Sequence, residues 1–262
     1  GRVLQLPSTH LLGQNFAKPF DVKYLDENGK SEYCWQTCYG PAISRIYAAV
    51  ISVHGDDSGL VLPFSLAPLQ VVVIPIPKKG SEGKIEKKAK EIVALLKSAG
   101  IRAQADFSQN TPGFKYNEWE MKGVPFRVEI GAREAEGGEL TVFRRDAKKK
   151  SQIKESELAS WLVKESAAML SDMKKKAQAG FDAMLSKASS MDELGKEIEK
   201  GKLVAVPFCS NDKEGEKCAD AVKEKTSGNV RGTRFDRHEK PHGNCIVCGK
   251  KAGAIVYIAR QY

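Results

Sequence analysis

Apolar positions along the first sixty residues change period twice. Residues 3–5, 20–25 and 32–38 read as strands, with a hairpin at Asn28 and Gly29 between the last two. Trp35 to Cys38 alternate, Gly40 and Pro41 break the run, and Ile43, Ile46, Tyr47, Val50, Ile51 and Val53 then fall at helical spacing. The pattern predicts strand, turn and buried helix, and taken together an antiparallel sheet with a helix laid on it. Gln5, Ser8 and His10 fall near a strand end, where polar side chains converge on a ligand; a hydrogen-bonded structural histidine is the alternative for His10.

From residue 69 the pattern is different. The run 69–76, LQVVVIPI, is continuously apolar, as expected of a strand buried on both faces. Residues 81–100 read as a helix with Ile85, Ala89, Ile92, Val93, Leu95 and Leu96 inside, a lysine-rich outer face and Gly100 as C-cap. Strand 101–107, helix 116–121, strands 126–130 and 140–143 and a long helix 155–179 follow, which makes a mixed-sheet α/β module. The last part reads as helix 192–200, strand 203–207, helix 218–224 and strand 253–260. The predicted class is α/β (α+β), in three domains at residues 1–65, 66–165 and 166–262.

Charge narrows the choice of partner. Forty-two Lys and Arg against thirty-three Asp and Glu leave a net charge of +9, which favours phosphate backbones or acidic surfaces. The lysine runs 148–150 and 174–176 read as solvated charge, with RNA contact the alternative. No apolar run reaches the roughly 18 residues of a membrane span and no cleavable signal opens the chain, so the reading is a soluble, cytoplasmic protein with no membrane partner. Phosphate loops of the GxGxxG or GKS/T kind are absent, against a Rossmann or P-loop enzyme. The chain starts at Gly1 rather than Met, inside a predicted strand, so an upstream part of the first sheet is expected to be missing.

Six cysteines form two groups. Cys34 and Cys38, on one predicted strand, would lie about 13 Å apart, too far for a disulfide. They read as small buried residues, or Cys38 lines a site. Cys209, Cys218, Cys245 and Cys248 follow a C-x8-C then CxxC pattern. A CxxC turn lets two sulfurs share one zinc at about 2.3 Å, and the other pair would complete a tetrathiolate. A redox CxxC and a mixed site using His238 or His242 stay open.

Arg45 sits in the first turn of the predicted helix, where unpaired N–H groups attract an anion and a forked guanidinium suits phosphate; a carboxylate partner is the alternative. The surrounding QTCYG…SR…AAVI…HGDDSGLVLP resembles motif 3 of class II aminoacyl-tRNA synthetases in the form that prolyl-tRNA synthetases carry. GQNFAK resembles that family's segment ahead of motif 3, and TPGFKYNEWEMKGVPFRVEIGAR its anticodon-binding loop and helix. The four late cysteines and the terminal Tyr262 are similar to the C-terminal domain of the archaeal and eukaryotic type. Threonyl-, glycyl- and histidyl-tRNA synthetases share the architecture but not GQNFAK, HGDD or the terminal IARQY.

The resemblance implies roles. Gln5, Ser8 and Arg45 would serve ATP and its Mg2+, and His10, Cys38 and Gly40 the proline pocket. Tyr116, Glu120, Arg127 and Arg133 would read the anticodon. A carboxylate accepts from guanine N–H groups while Arg bonds O6 and N7, and an aromatic ring stacks on an unpaired base. Without the resemblance, Glu120 is a surface helix charge and Arg127 a strand-edge charge. The cysteines would hold structural Zn2+, and the implied partners are proline, tRNA(Pro) and a second copy through the catalytic domain. The implied reaction is proline–tRNA ligation; a non-catalytic, tRNA-binding or regulatory fragment is the alternative. Two departures stand out: Ser8-Thr9-His10 replaces the family's Thr-Ser-His, and four residues rather than three separate Gly40 from Arg45. The chain as given is expected to bind tRNA without activating proline, to associate through an exposed apolar face, and to dock its apolar terminal run 253–262.

Overall fold

The computed structural model describes residues 3–261, so the expected docking of Tyr262 lies outside the described residues. The chain divides into two compact units, Gly1–Tyr47 with Gly180–Tyr262, and Ala48–Ala179.

Four short strands open the first unit: β1 (Ser8–Gly13), β2 (Lys23–Leu25), β3 (Ser31–Tyr33) and β4 (Gln36–Gly40). The expected β2–β3 hairpin forms, closed by Asp26, whose Oδ1 accepts from the N–H groups of Asn28 and Lys30 at 2.9 and 2.8 Å. The single strand expected over residues 32–38 is two, because the chain changes partner. Cys34 N–H still donates to Val22 O, whereas Gln36 onward pairs antiparallel with β1. No strand forms over residues 3–5: Val3 makes an isolated bridge to Gln261, and Pro7, with no N–H to offer, precedes β1. The strand expected from residue 20 starts at Lys23, after a turn in which Asp21 takes a φ of +52°.

Next comes α1 (Ile43–His54), within which the first unit ends at Tyr47 and the second begins at Ala48, at the expected place but with none of its residues buried. Ile43, Ile46, Tyr47 and Val53 are exposed, which corrects the expectation of a buried helix laid on the sheet. The β1–β4 ribbon is two strands wide, too narrow to bury a helix face. Cys34 is half-buried and Cys38 exposed, so the second is no core residue; both are free thiols.

The second unit contains β5 (Val71–Pro75), α2 (Glu82–Ser98), β6 (Ala103–Ala105), α3 (Pro112–Met121), β7 (Phe126–Ile130), α4 (Ala132–Glu136), β8 (Glu139–Arg144), β9 (Lys149–Lys154) and most of α5 (Leu158–Met184). Its sheet runs β6-β5-β7-β8-β9, parallel around β5 and antiparallel from β7 to β9. Val71, Val72, Val73 and Ile74 are fully buried because both faces are covered, each burial worth about 1.5–3 kcal/mol. One face packs on Ile85, Ala89, Ile92 and Leu96 of α2 and on Leu158, Leu162 and Met169 of α5. The other, with Val72, Ile74 and Val124, packs on Tyr116 and Trp119 of α3. Thr111 caps α3 and Pro112 opens it, so the helix begins four residues before the expected 116. The strand expected over 101–107 shortens to β6. Neither α4, barely one turn, nor the polar edge strand β9, in which Ile153 alone is buried, was foreshadowed by periodicity.

The remainder of the first unit holds β10 (Leu185–Lys187), α6 (Met191–Glu199), β11 (Leu203–Phe208), α7 (Glu216–Thr226), β12 (Asn229–Gly232) and β13 (Ala254–Ala259). The sheet order is β10-β11-β13-β12. Leu194 and Ile198 of α6 and Cys218 and Val222 of α7 cover one face, against Val204, Val206, Phe208, Val256 and Ile258. Among the described residues no helix is long and apolar enough to cross a membrane.

Candidate functional site

Strand register assembles the first group of predicted site residues. In β1 and β4, Ser8 faces Gly40 and His10 faces Cys38, and because side chains alternate across a strand these four share one face. Ser8 Oγ and His10 Nε2 lie 2.9 Å apart. A Cβ on Gly40 would sit 3.6 Å from Ser8 Oγ, so the glycine leaves space beside that hydroxyl. Arg45, exposed in the first turn of α1, donates from Nη1 to the backbone oxygen of Gln5 at 3.1 Å. Ala42, with a φ of +50°, starts that turn, its oxygen accepting from the N–H groups of Arg45 and Ile46. Gln5, Ser8, His10, Cys38, Gly40 and Arg45 thus all belong to the first unit.

A second group forms in the other unit, between α3 and the sheet. Tyr116 and Glu120 stand one turn apart on α3. Arg127 of β7 donates from Nη1 to Glu120 Oε1 at 2.7 Å and from Nε to Glu129 Oε1 at 3.2 Å. Its guanidinium carbon lies 3.9 Å from the Tyr116 ring centre and 4.2 Å from that of Phe143. Arg127 is only 5% exposed and β7 is the central strand of five, so it is no strand-edge charge, and Glu120 is no free surface charge. Lys150 bonds the other oxygen of Glu129 at 2.7 Å. Burial first, and the Glu129 charge second, push the Tyr116 phenol up to about 12, so it stays a neutral ring and donor. Arg133 is set differently, on α4 with a side chain 82% exposed and 3.1 Å from Glu134 Oε1.

Glu129 and Phe143 escaped the sequence reading, and Lys150, read there as part of a solvated lysine run with RNA contact the alternative, bonds Glu129. A signal existed for the first: in FRVEI two opposite charges two residues apart share one face of an otherwise apolar strand. The cluster offers a carboxylate acceptor, guanidinium and ammonium donors and an aromatic face side by side, the chemistry that reads an unpaired guanine.

The HGDD segment takes up a structural role as well. Asp56 receives a forked bond from wholly buried Arg145, which no sequence pattern singled out, and this holds its carboxyl far below the usual range. Burial, then the Lys176 charge, lowers the His54 imidazole.

The four late cysteines converge, with their sulfurs all within 4.8 Å of one another. Cys209 and Cys218 are 3.7 Å apart, and sulfurs tetrahedral around an ion at about 2.3 Å would be separated by about 3.8 Å. Burial pushes the Cys209 and Cys218 thiols up, while a backbone N–H from Lys250 lowers Cys248 to about 7. A dication among them would favour the thiolates that burial opposes, so the donor set fits zinc. Cys245 and Cys248 sit in a turn closed by Asn244 and Lys251, without the strand-to-helix context of a redox CxxC. Among the described residues the metal-ligand cluster contains these cysteines and neither His238 nor His242.

The family described as anticodon binding domain matches residues 70–165, and that described as prolyl-tRNA synthetase, C-terminal, matches residues 191–262. The proline–tRNA ligase of Thermofilum pendens is 47% identical over all of this chain and 54% of its own length; that of Ignicoccus hospitalis is 41% identical, also over 54% of its length. A prolyl-tRNA synthetase structure from Giardia lamblia, in complex with prolyl-adenylate, is 34% identical with a TM-score of 0.88, covering 100% of this chain and 57% of that one. One from Cryptosporidium parvum, complexed with L-proline and AMP, gives 34% and 0.89, covering 100% and 54%. The chain therefore spans about half the length of the relatives it matches. With two family models along it and likeness to synthetases over its whole extent, the chain belongs to the prolyl-tRNA synthetase family.

Proposed function

We propose that this chain is part of a proline–tRNA ligase. In that reaction the proline carboxylate attacks the α-phosphorus of ATP to give prolyl-adenylate and pyrophosphate. The terminal hydroxyl of proline tRNA then takes the prolyl group and AMP leaves. The observation that carries the reading is likeness across the whole chain to the Giardia lamblia enzyme described in complex with prolyl-adenylate.

In this reading Gln5, Ser8 and Arg45 serve ATP, the guanidinium offering fixed positive charge where phosphate charge develops, and Mg2+ accompanies the nucleotide. His10, Cys38 and Gly40 line the proline pocket, a role supported by their shared face on β1 and β4. Tyr116, Glu120, Arg127 and Arg133 read the anticodon of tRNA(Pro). Cys209, Cys218, Cys245 and Cys248 hold a structural zinc. The working division is residues 1–65 catalytic, 66–165 anticodon-binding and 166–262 C-terminal, in a cytoplasmic homodimer.

Two measurements test this. In a protein of the relatives' full length that carries this chain, proline-dependent exchange of pyrophosphate into ATP should fall at least about tenfold with Arg45→Ala. The 262-residue chain should bind proline tRNA more tightly than a transcript with its anticodon guanines changed to adenines, and Glu120→Ala should remove about 1–3 kcal/mol of that preference. Unchanged exchange would refute the ATP assignment, and equal binding of both transcripts the anticodon assignment.

A further inference from the structure

The helix that carries two of the reader residues is held by a second pair of side chains on the adjoining stripe. Tyr116 and Glu120 are four apart on α3; so are Lys115 and Trp119, each one residue before a reader. Lys115 Nζ donates to the backbone oxygen of Asp106 at 2.9 Å and lies 3.9 Å from its Oδ1. Trp119 Nε1 donates to Asp106 Oδ2 at 2.8 Å. Asp106 is itself fixed, since its N–H donates to Val73 O of β5 at 2.9 Å and its Oδ1 accepts from Ser108 N–H at 2.9 Å. The carboxylate is thus a rigid extension of the sheet, and α3 is pinned to it at two points a turn apart.

Lys115 is 3% exposed and Asp106 8%. An ammonium and a carboxylate withdrawn from water rarely stabilise a fold better than an apolar pair of the same volume. What they supply instead is direction. The packing of Tyr116 and Trp119 on Val72, Ile74 and Val124 holds α3 against the sheet, but apolar burial is non-directional, whereas hydrogen bonds fix an angle as well as a distance. A rotation of about 20° would carry a side-chain tip, about 5–6 Å from the axis, through about 2 Å. The 2.7 Å bond between Glu120 and Arg127 would not survive that displacement.

We propose that Asp106, Lys115 and Trp119 are positioning residues for anticodon reading, setting the rotation of α3 so that Tyr116 and Glu120 meet Arg127 and a base together. This rests on the anticodon reading above. The test measures affinity of the full 262-residue chain for the proline tRNA transcript and for the transcript with anticodon guanines changed to adenines. Trp119→Phe keeps a smaller aromatic ring and removes the indole N–H that bonds Asp106; Asp106→Asn keeps the shape and removes the charge. Each should lower the preference for the cognate transcript by about three- to tenfold, with little change in affinity for the other. Lys115→Arg should retain most of the preference that Lys115→Met loses. Full preference in both Trp119→Phe and Asp106→Asn, or equal weakening toward both transcripts, overturns the proposal. Absence of any preference in the unaltered chain overturns the anticodon reading instead.

Discussion

Arg145 and Asp56, 89 residues apart in the chain, form a two-point ion pair, Nη1 to Oδ2 at 2.9 Å and Nη2 to Oδ1 at 2.6 Å. The same guanidinium donates from Nε to the backbone oxygen of Glu120 at 3.3 Å, so it joins the HGDD turn to the last turn of α3. Arg145 is wholly buried, and Asp56→Asn would leave its charge without a counterion. The expected loss is about 3 kcal/mol of unfolding free energy in urea, at the lower end for a broken buried pair because the Asp56 side chain is 28% exposed. Arg145→Met combined with Asp56→Ala should cost less than the two single changes added together. A loss below about 1 kcal/mol for Asp56→Asn would contradict this account.

Acid should weaken the same contact. Arg145's hydrogen bond is the main cause of the lowered Asp56 carboxyl. A carboxyl lowered in the folded state binds its proton more readily when unfolded, near about 3.9. Its contribution is therefore complete above that value and is lost as pH falls toward the folded one. The difference in unfolding free energy between the unaltered chain and Asp56→Asn should be constant above about pH 5 and shrink steadily below about pH 4. A difference that grows on acidification would reverse the sign and defeat the argument.

Metal analysis should find one zinc per chain, lost in Cys245→Ser. Cys245 and Cys218 are buried in the core that α6 and α7 cover, so removing the ion with a chelator should lower the melting temperature of that core. Metal-free protein with a disulfide between Cys245 and Cys248 would count against a tetrathiolate.

How much of this could be read from the chain depends on whether an interaction is local. The fully buried β5 and β7 and the helical period of α2 were legible, because continuous or periodic apolar positions encode them directly. The edge strands β9, β10 and β12 were not: they are short or polar, and what makes them strands is their neighbour. For α1 the period was right and the burial wrong, since a period reports which side is apolar and not what covers it. Around Arg127, resemblance supplied Tyr116 and Glu120, whereas Phe143 and Lys150 come from register alone. Arg127 faces Phe143 across β7 and β8, and Phe143 faces Lys150 across β8 and β9. Nothing local joins those three positions, and nothing local pairs Asp56 with Arg145.

Gly59, the last residue of the HGDDSG turn, should tolerate no side chain. Its φ is +120°, a conformation that L residues rarely adopt, and a Cβ there would lie 2.3 Å from Met121 Cα and 2.7 Å from Met121 O. Those are backbone atoms of α3, which no side-chain rotation can move aside. The approach is used, because Leu60 N–H donates to Met121 O at 3.1 Å and so closes the free carbonyl end of α3. Gly59→Ala should therefore cost at least about 3 kcal/mol, strain and overpacking adding together. Gly29 provides the control, with a φ of +77° in the β2–β3 hairpin but nothing within 4 Å of an added Cβ. Gly29→Ala should cost only about 1 kcal/mol, the conformational part alone. Urea unfolding of both variants separates the two contributions, and equal losses would mean that the contact with Met121 does not restrict Gly59.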